Sequence, residues 1–324
     1  MADFRTATAL SLLRRTAPFV VFRLVVYTGI ALAYVLATGA GAGVGYGIGA
    51  IWGPEGRLTG SGYGALGGFA VTAAALYLLR EYILYLVKAG HIAVMVELLQ
   101  GRAIPAGQGQ IAYARGMVSD RFGTASALFG VDQLVKGTIT AVTGLLKGLM
   151  SVLPIPGSGQ VMGAVRAYLR VAVGLMDKVM LAQCFATRTD NPFLGARDAL
   201  VLYAQNARPM LTNAAWITAW VWGLSLLIFL IMLVPAGLVV WMLPGQATAA
   251  GFAIALVFAW AVKVALIEPF ALACMLQVYF KVTAGQRPDP SWTARLNSAS
   301  DTFGALGQRA VAWTRPQPTT GVPA

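Results

Sequence analysis

Long apolar runs dominate the pattern of this chain, and four of them are long enough for a membrane-spanning helix. They cover residues 18–38, 65–87, 213–243 and 249–280. A helix of about 20 apolar residues crosses a hydrocarbon core of roughly 30 Å. The pattern therefore predicts an all-α, polytopic membrane protein.

The central segment, residues 131–187, differs because each of its two predicted helices carries polar residues along one face. The second helix places Arg166, Arg170 and Asp177 at steps of four and seven, with Lys178 beside them. Such steps return to one face of an α-helix, and the opposite faces are apolar. The corresponding face of the first helix consists of Asp132, Lys136, Thr140, Thr143 and Lys147.

These charges limit where the central pair can lie. A charged side chain at the bilayer centre costs about 2.5–3.5 kcal/mol, whereas Leu or Ile returns only about 0.3–0.6 kcal/mol. The charged faces must therefore pair with each other, line a wet path, or face water at the membrane surface. The first two arrangements imply a transport site and give about six spans. The third gives four spans, which is the alternative.

A dense glycine pattern marks the first predicted hairpin, within residues 1–88. Glycines recur every four residues in three series, and this spacing lets two helix backbones approach closely. The packing residues selected from these series are Gly43, Gly47, Gly64 and Gly68. The pattern leaves three possibilities open: a glycine zipper at an oligomeric or pore contact, close packing within the hairpin, or a loose glycine loop.

The other segments are predicted to lie at the membrane surface. Residues 89–130 and 188–212 are expected to form short amphipathic interfacial helices, and residues 282–324 an amphipathic cytoplasmic tail. With the hairpins 1–88 and 213–281 and the charged pair 131–187, they make one integral membrane domain. The apolar stripe of the tail consists of Trp292, Leu296, Ala299, Phe303, Leu306 and Ala310, and it is expected to rest on the inner leaflet.

The distribution of charged residues predicts how the chain is oriented across the membrane. The chain has 24 Lys and Arg against 12 Asp and Glu, a formal charge of +12. The basic residues occur singly in loops on one predicted side, as the positive-inside rule requires. This distribution predicts a lipid bilayer as the partner and not a nucleic acid. We expect both termini in the cytoplasm and the chain in a bacterial inner membrane.

Motifs for catalysis or cofactor binding are missing from the sequence. One histidine and two cysteines exclude an ordinary Cys/His zinc site. The sequence has neither a Gly-x-Ser-x-Gly elbow nor a Walker lysine motif. We therefore predict no metal site, no cofactor and no enzyme activity.

The charges favour transport of an anion, because cations exceed acids in the central pair. Glu268, a lone acid before a proline in an apolar span, is the best single candidate for an ion or proton site. A structural salt bridge is its alternative role. The predicted solute pathway comprises Lys136, Lys147, Arg166, Arg170, Asp177 and Glu268.

The resulting functional prediction is a channel or transporter subunit for a small anionic or polar solute. It is expected to be a homo-oligomer, and no partner protein is indicated. The alternative is a non-enzymatic scaffold that organises the membrane through its interfacial amphipathic helices.

Cysteine accessibility at position 158, in the turn of the central pair, tests the number of spans. With six spans, a membrane-impermeant maleimide added outside should label Ser158→Cys in a background lacking the natural cysteines. Ser298→Cys in the tail is the matched control, because both topologies place it inside. Labelling of Ser158→Cys only from inside would establish four spans.

Overall fold

A computed structural model describes residues 2–79, 85–122, 134–135, 137–138, 159–242 and 248–313. Every regular element within these ranges is helical, as the sequence predicted. A 3-10 turn (Ala50–Trp52) links α2 to α3, and a π-helical turn (Lys263–Ile267) links α9 to α10. The helices are α1 (Thr6–Arg15), α2 (Ala17–Gly49), α3 (Gly53–Leu79), α4 (Tyr85–Leu99), α5 (Gln110–Phe122), α6 (Gly159–Thr187), α7 (Pro192–Gln205), α8 (Ala207–Met242), α9 (Thr248–Val262), α10 (Glu268–Val282), α11 (Pro290–Ala299) and α12 (Asp301–Ala312).

Three helical segments are long and apolar enough to cross a membrane: Ala17–Leu76, Ala207–Leu238 and Gly251–Val282. The first contains α2 and α3, which are separated by a reversal at Gly53, where φ is +81°. Helix α6 is not among these segments, so the described residues do not support six spans. The first helix of the predicted central pair lies largely outside the described residues.

The chain divides into two compact units. The first, which we call the core unit, comprises Met1–Pro18, Lys88–Val221 and Phe270–Ala324. The second, the hairpin unit, comprises Phe19–Val87 and Trp222–Pro269.

In the hairpin unit, α2 and α3 pack backbone against backbone. A Cβ placed on Gly45 would lie 1.9 Å from the carbonyl oxygen of Gly60, and one on Gly64 would lie 2.0 Å from that of Gly41. A Cβ on Gly68 would lie 2.1 Å from the carbonyl oxygen of Ala37. These distances leave no room for any side chain, so glycine is required at the contact.

Two of the glycines selected from the sequence lie elsewhere. A Cβ on Gly43 or Gly47 would have no heavy atom within 4 Å, whereas Gly64 and Gly68 lie at the α2–α3 contact. The reason is the helix period: residues two apart differ by about 200° around the axis. The series containing Gly41 and Gly45 therefore faces α3, and the series containing Gly43 and Gly47 faces away.

The outer surface of the hairpin unit is apolar. Large aliphatic and aromatic side chains are exposed along α2, α3 and α8, which in water would form an unfavourable continuous surface. In a hydrocarbon such side chains cost nothing to expose, because the surrounding chains are as apolar as they are. Examples of these exposed residues are Val25, Leu36, Leu66, Val71, Trp222, Leu226, Val234 and Leu238.

The core unit has the opposite arrangement, with helices buried on all sides. Residues 89–98 of α4 are all buried, as are most of α7 and residues 270–276 of α10. A helix that is apolar all round belongs inside a protein. Protein therefore covers α4 and most of α7 on every side, whereas an amphipathic interfacial helix would leave one apolar face for lipid. The C-terminal part of the last predicted span is likewise covered by protein.

The tail also packs on protein. Its apolar stripe is divided between α11 and α12, because Ser300 ends one helix and its hydroxyl caps the N–H of Phe303 at 3.2 Å. Both helices contact α7. Leu296, Phe303 and Leu306 are at most 2% exposed. The expectation that this stripe rests on the inner leaflet was wrong, because another helix covers it.

The glycine contact makes a prediction about stability. Gly45→Ala should lower the free energy of unfolding by about 1–3 kcal/mol, because the added methyl group overlaps the Gly60 backbone. Gly43→Ala is the matched control, and it should be neutral or stabilise by up to about 1 kcal/mol through helix propensity. Tryptophan fluorescence of the detergent-solubilised protein during unfolding measures both. Equal effects of the two substitutions would contradict the observed helix face.

Candidate functional site

The candidate site begins with a break in the hydrogen-bond pattern of the helix that carries Glu268. The N–H of Glu268 bonds to the carbonyl of Lys263, five residues back, as in a π-helical turn. In this register the next donor would be residue 269, which is proline and has no N–H. The carbonyl of Val264 therefore lacks its backbone donor. Single π turns within α-helices are frequent at functional sites.

Arg23 of α2 provides the missing donor. Its Nη2 lies 2.6 Å from the carbonyl oxygen of Val264 and 3.4 Å from Oε2 of Glu268. The guanidinium also lies over the ring of Tyr27, with 5.8 Å between its Cζ atom and the ring centroid. All four residues belong to the hairpin unit. Glu268 thus pairs with a cation from another helix, the alternative that the sequence left open.

The pair is set in apolar surroundings. The buried face of α2 runs in steps of four through Phe19, Arg23, Tyr27 and Ala31, so the arginine replaces an apolar residue in a packed stripe. Only 5% of the Arg23 side chain is exposed, against 35% for Glu268. The Nε atom of Arg23 is buried and has no hydrogen-bond partner among the described residues. Arg23 therefore keeps one unused donor in a site of low polarity, where such a donor is costly.

The structure describes only some of the predicted pathway residues. Glu268 belongs to the site above, whereas Asp177 is in the core unit and pairs with its neighbour Lys178, with 3.3 Å between Oδ1 and Nζ. Lys178 also donates to the carbonyl of Gly174. Arg166 and Arg170 lie on α6, but their side chains are outside the described part of the structure. Lys136 and Lys147 also lie outside the described residues.

Arg23 is the residue that the sequence interpretation missed. The sequence nevertheless contained a signal for this pair. Arg23 lies in one apolar run and Glu268 in another, and an unpaired charge in either run would be energetically costly. Opposite charges in two spans favour a pair. The sequence did not indicate that these two helices are neighbours.

A second ionic cluster lies in the core unit. Glu97 is fully buried and accepts bonds from Arg102, at 2.6 Å from Nε and 2.8 Å from Nη2, and from Arg188 at 3.2 Å. Burial alone would raise the pKa of Glu97, but the hydrogen bonds and charges of the two arginines hold that pKa below 4.5. The cluster ties the end of α4 to the end of α6.

His91, the only histidine of the chain, also lies in the core unit. Its Nε2 is 3.0 Å from the hydroxyl of Thr16, and both residues are almost completely buried. The Thr16 hydroxyl also lies 3.0 Å from the carbonyl oxygen of Leu12, which it can reach as a donor. His91 is therefore an interior residue of the core unit.

A cavity of about 410 Å³ opens in the core unit at the ends of α4, α6 and α10. Its polar lining consists of glutamine and threonine side chains, and none of its described lining residues is charged. The cavity therefore lacks the cation that an anionic solute needs. Its polar residues are Gln100, Gln183, Thr187, Gln277 and Thr283.

No protein-family model, curated protein or solved structure matches this chain. Function is therefore inferred from the residues themselves. Within the described residues, no group of three or more His, Cys, Asp or Glu side chains could hold a metal ion. The Arg23–Glu268 pair is the strongest site that these residues offer.

The Glu97 cluster predicts a pH-dependent contribution to stability. Its lowered pKa means that the ionised form stabilises the fold above pH 4.5, and that this contribution is lost as the pH falls through the folded-state pKa. Arg102→Ala should cost about 2–3 kcal/mol near neutral pH. The cost should shrink in acid, where the wild type also loses the ionised carboxylate.

Thermal unfolding of the wild type and of Arg102→Ala, from neutral pH into acid, measures the effect. The matched control is Arg115→Ala, because Arg115 is an exposed cation of α5. A difference between wild type and Arg102→Ala that stays constant with pH would show that Glu97 titration is not involved.

Proposed function

We propose that this chain is an integral membrane channel or transporter subunit for a small anionic solute. The observation that carries the proposal is the buried Arg23, whose Nε donor has no partner among the described residues and which lies beside Glu268 in the hairpin unit. The solute site proposed here centres on Arg23, a residue outside the pathway that the sequence predicted.

The energetics favour a functional role over a purely structural one. Desolvating two charges often costs more than their attraction returns, and apolar residues of similar size are usually at least as stable. Ionisable residues inside membrane helices mark substrate or ion paths by default. Arginine in particular matches carboxylate and phosphate groups with its planar set of donors.

The topology we propose is four passes, with both termini in the cytoplasm of a bacterial inner membrane. Helices α2 and α3 supply one hairpin, and α8 with α9–α10 supply the other. At about 1.5 Å per residue, each of these helical segments exceeds a hydrocarbon core of roughly 30 Å. The open glycine face of α2 at Gly43 and Gly47 supports a homo-oligomer, because small residues let a second helix approach.

The scaffold alternative receives less support. It depends on amphipathic helices whose apolar faces enter the membrane surface. The best such stripe in the sequence, along α11 and α12, is covered by α7, and Leu306 is fully buried there. No specific observation among the described residues favours this alternative.

Anion flux in proteoliposomes tests the proposed function. Reconstituted wild-type protein should take up at least one of pyruvate, inorganic phosphate and nitrate down its gradient. The double variant Arg23→Met with Glu268→Gln should lose this uptake, because no buried cation remains to attract an anion. Removing both charges together avoids leaving one of them unpaired in the membrane.

Arg57→Ala is the matched control, because Arg57 is a cation of the same unit that lies over the ring of Tyr46 near the turn of the glycine hairpin. It should retain uptake close to the wild-type rate. Equal uptake by the double variant, with its fold verified by thermal unfolding, would exclude Arg23 as the solute site.

A further inference from the structure

We propose that Glu268 is an exchangeable counter-ion of Arg23, so that each anion bound at this site enters with one proton. The inference rests on the proposed function and deepens it, because it assigns the coupling ion and the solute class. In the resting site Glu268 is ionised and neutralises Arg23. When an anion binds, Glu268 takes up a proton and the anion replaces it as the partner of the guanidinium.

Charge balance requires this exchange. The guanidinium of Arg23 stays protonated, so the resting pair has no net charge. An anion bound beside an ionised Glu268 would place two negative charges together in an apolar site. Their repulsion strongly favours protonation of one of the two groups. If the proton goes to the Glu268 carboxylate, the loaded site is again neutral. Release of the anion returns that proton to water and restores the ion pair.

The geometry suits such an exchange. The bond from Arg23 to the Val264 carbonyl is short, at 2.6 Å, whereas the contact with Glu268 is looser, at 3.4 Å. Arg23 therefore remains held in place when the carboxylate leaves. Glu268 is 35% exposed while Arg23 is 5% exposed, so the acid is the less enclosed member of the pair.

Few other charged groups face Glu268. From α2 the facing groups are Arg23 and the Tyr27 ring, and α9, which packs on the same apolar cluster, contains no ionisable residue. On its own helical segment the nearest charged residue is Lys263, which makes no ion pair with Glu268 among the described contacts. The remaining charged side chains described in this unit, Glu55 and Arg57, lie at the turn that begins α3.

The donor set also defines the solute class. One guanidinium neutralises one negative charge, and its Nε and Nη2 atoms lie in one plane and suit an anion with two oxygens. A monocarboxylate or a singly charged oxyanion satisfies both conditions. A dianion would leave a net charge in the apolar site.

Proton uptake on anion binding tests the inference directly. Full-length wild-type protein in detergent is titrated with pyruvate by calorimetry in two buffers of different ionisation enthalpy. About one proton should be taken up per anion, and the affinity should fall as the pH rises, because binding takes up a proton. Glu268→Gln should bind pyruvate with no proton uptake and no such pH dependence. Glu268→Asp, which keeps a carboxylate, should restore both.

Uptake of one proton per anion by Glu268→Gln would overturn the inference and leave the proposed function intact. Pyruvate-driven acidification of proteoliposomes by wild type, absent in Glu268→Gln, would support the inference. If folded wild-type protein neither binds nor transports pyruvate, phosphate or nitrate, the proposed function fails, and the inference fails with it. If Glu268→Gln does not fold, Glu268→Asp is the deciding variant. Uptake of about one proton per anion with a shifted pH dependence would support proton binding at residue 268, and an unshifted pH dependence would contradict it.

Discussion

The hairpin unit depends on one missing backbone hydrogen bond. Residue 269 is proline, so the carbonyl of Val264 lacks its backbone donor inside an apolar environment, where every backbone group needs a partner. Arg23 satisfies that carbonyl, and an arginine there in turn needs a counter-charge, which Glu268 provides. The chemistry that we assign to the site thus follows from a local defect of one helix.

The two units pack their helices in different ways. In the hairpin unit glycines lie at the helix contact and large apolar side chains are exposed, a pattern typical of helices that pack in lipid. In the core unit α4, α7 and α10 are buried on all sides, and the ionic cluster at Glu97 is fully bonded. Burial of apolar surface away from water stabilises that arrangement.

Several sequence interpretations failed for one physical reason. An amphipathic stripe shows that one face avoids water, but lipid and protein satisfy it equally well. The stripe of α11 and α12 was assigned to the membrane and is covered by α7. Helix α4, apolar on nearly every face, was assigned to the interface and lies inside the core unit. The spacing of apolar residues determined which helix face avoids water, but not whether lipid or protein covers that face.

The sequence by itself determined the helical class, the apolar segments of membrane length and the four-residue spacing of the glycines, because these are local properties of the chain. It also indicated Glu268 as an unusual acid. Only the tertiary structure decided which glycine series faces α3, and that Glu268 meets Arg23, 245 positions away in the chain. Helical periodicity assigns residues to faces, but the partner of each face is a non-local choice that packing makes.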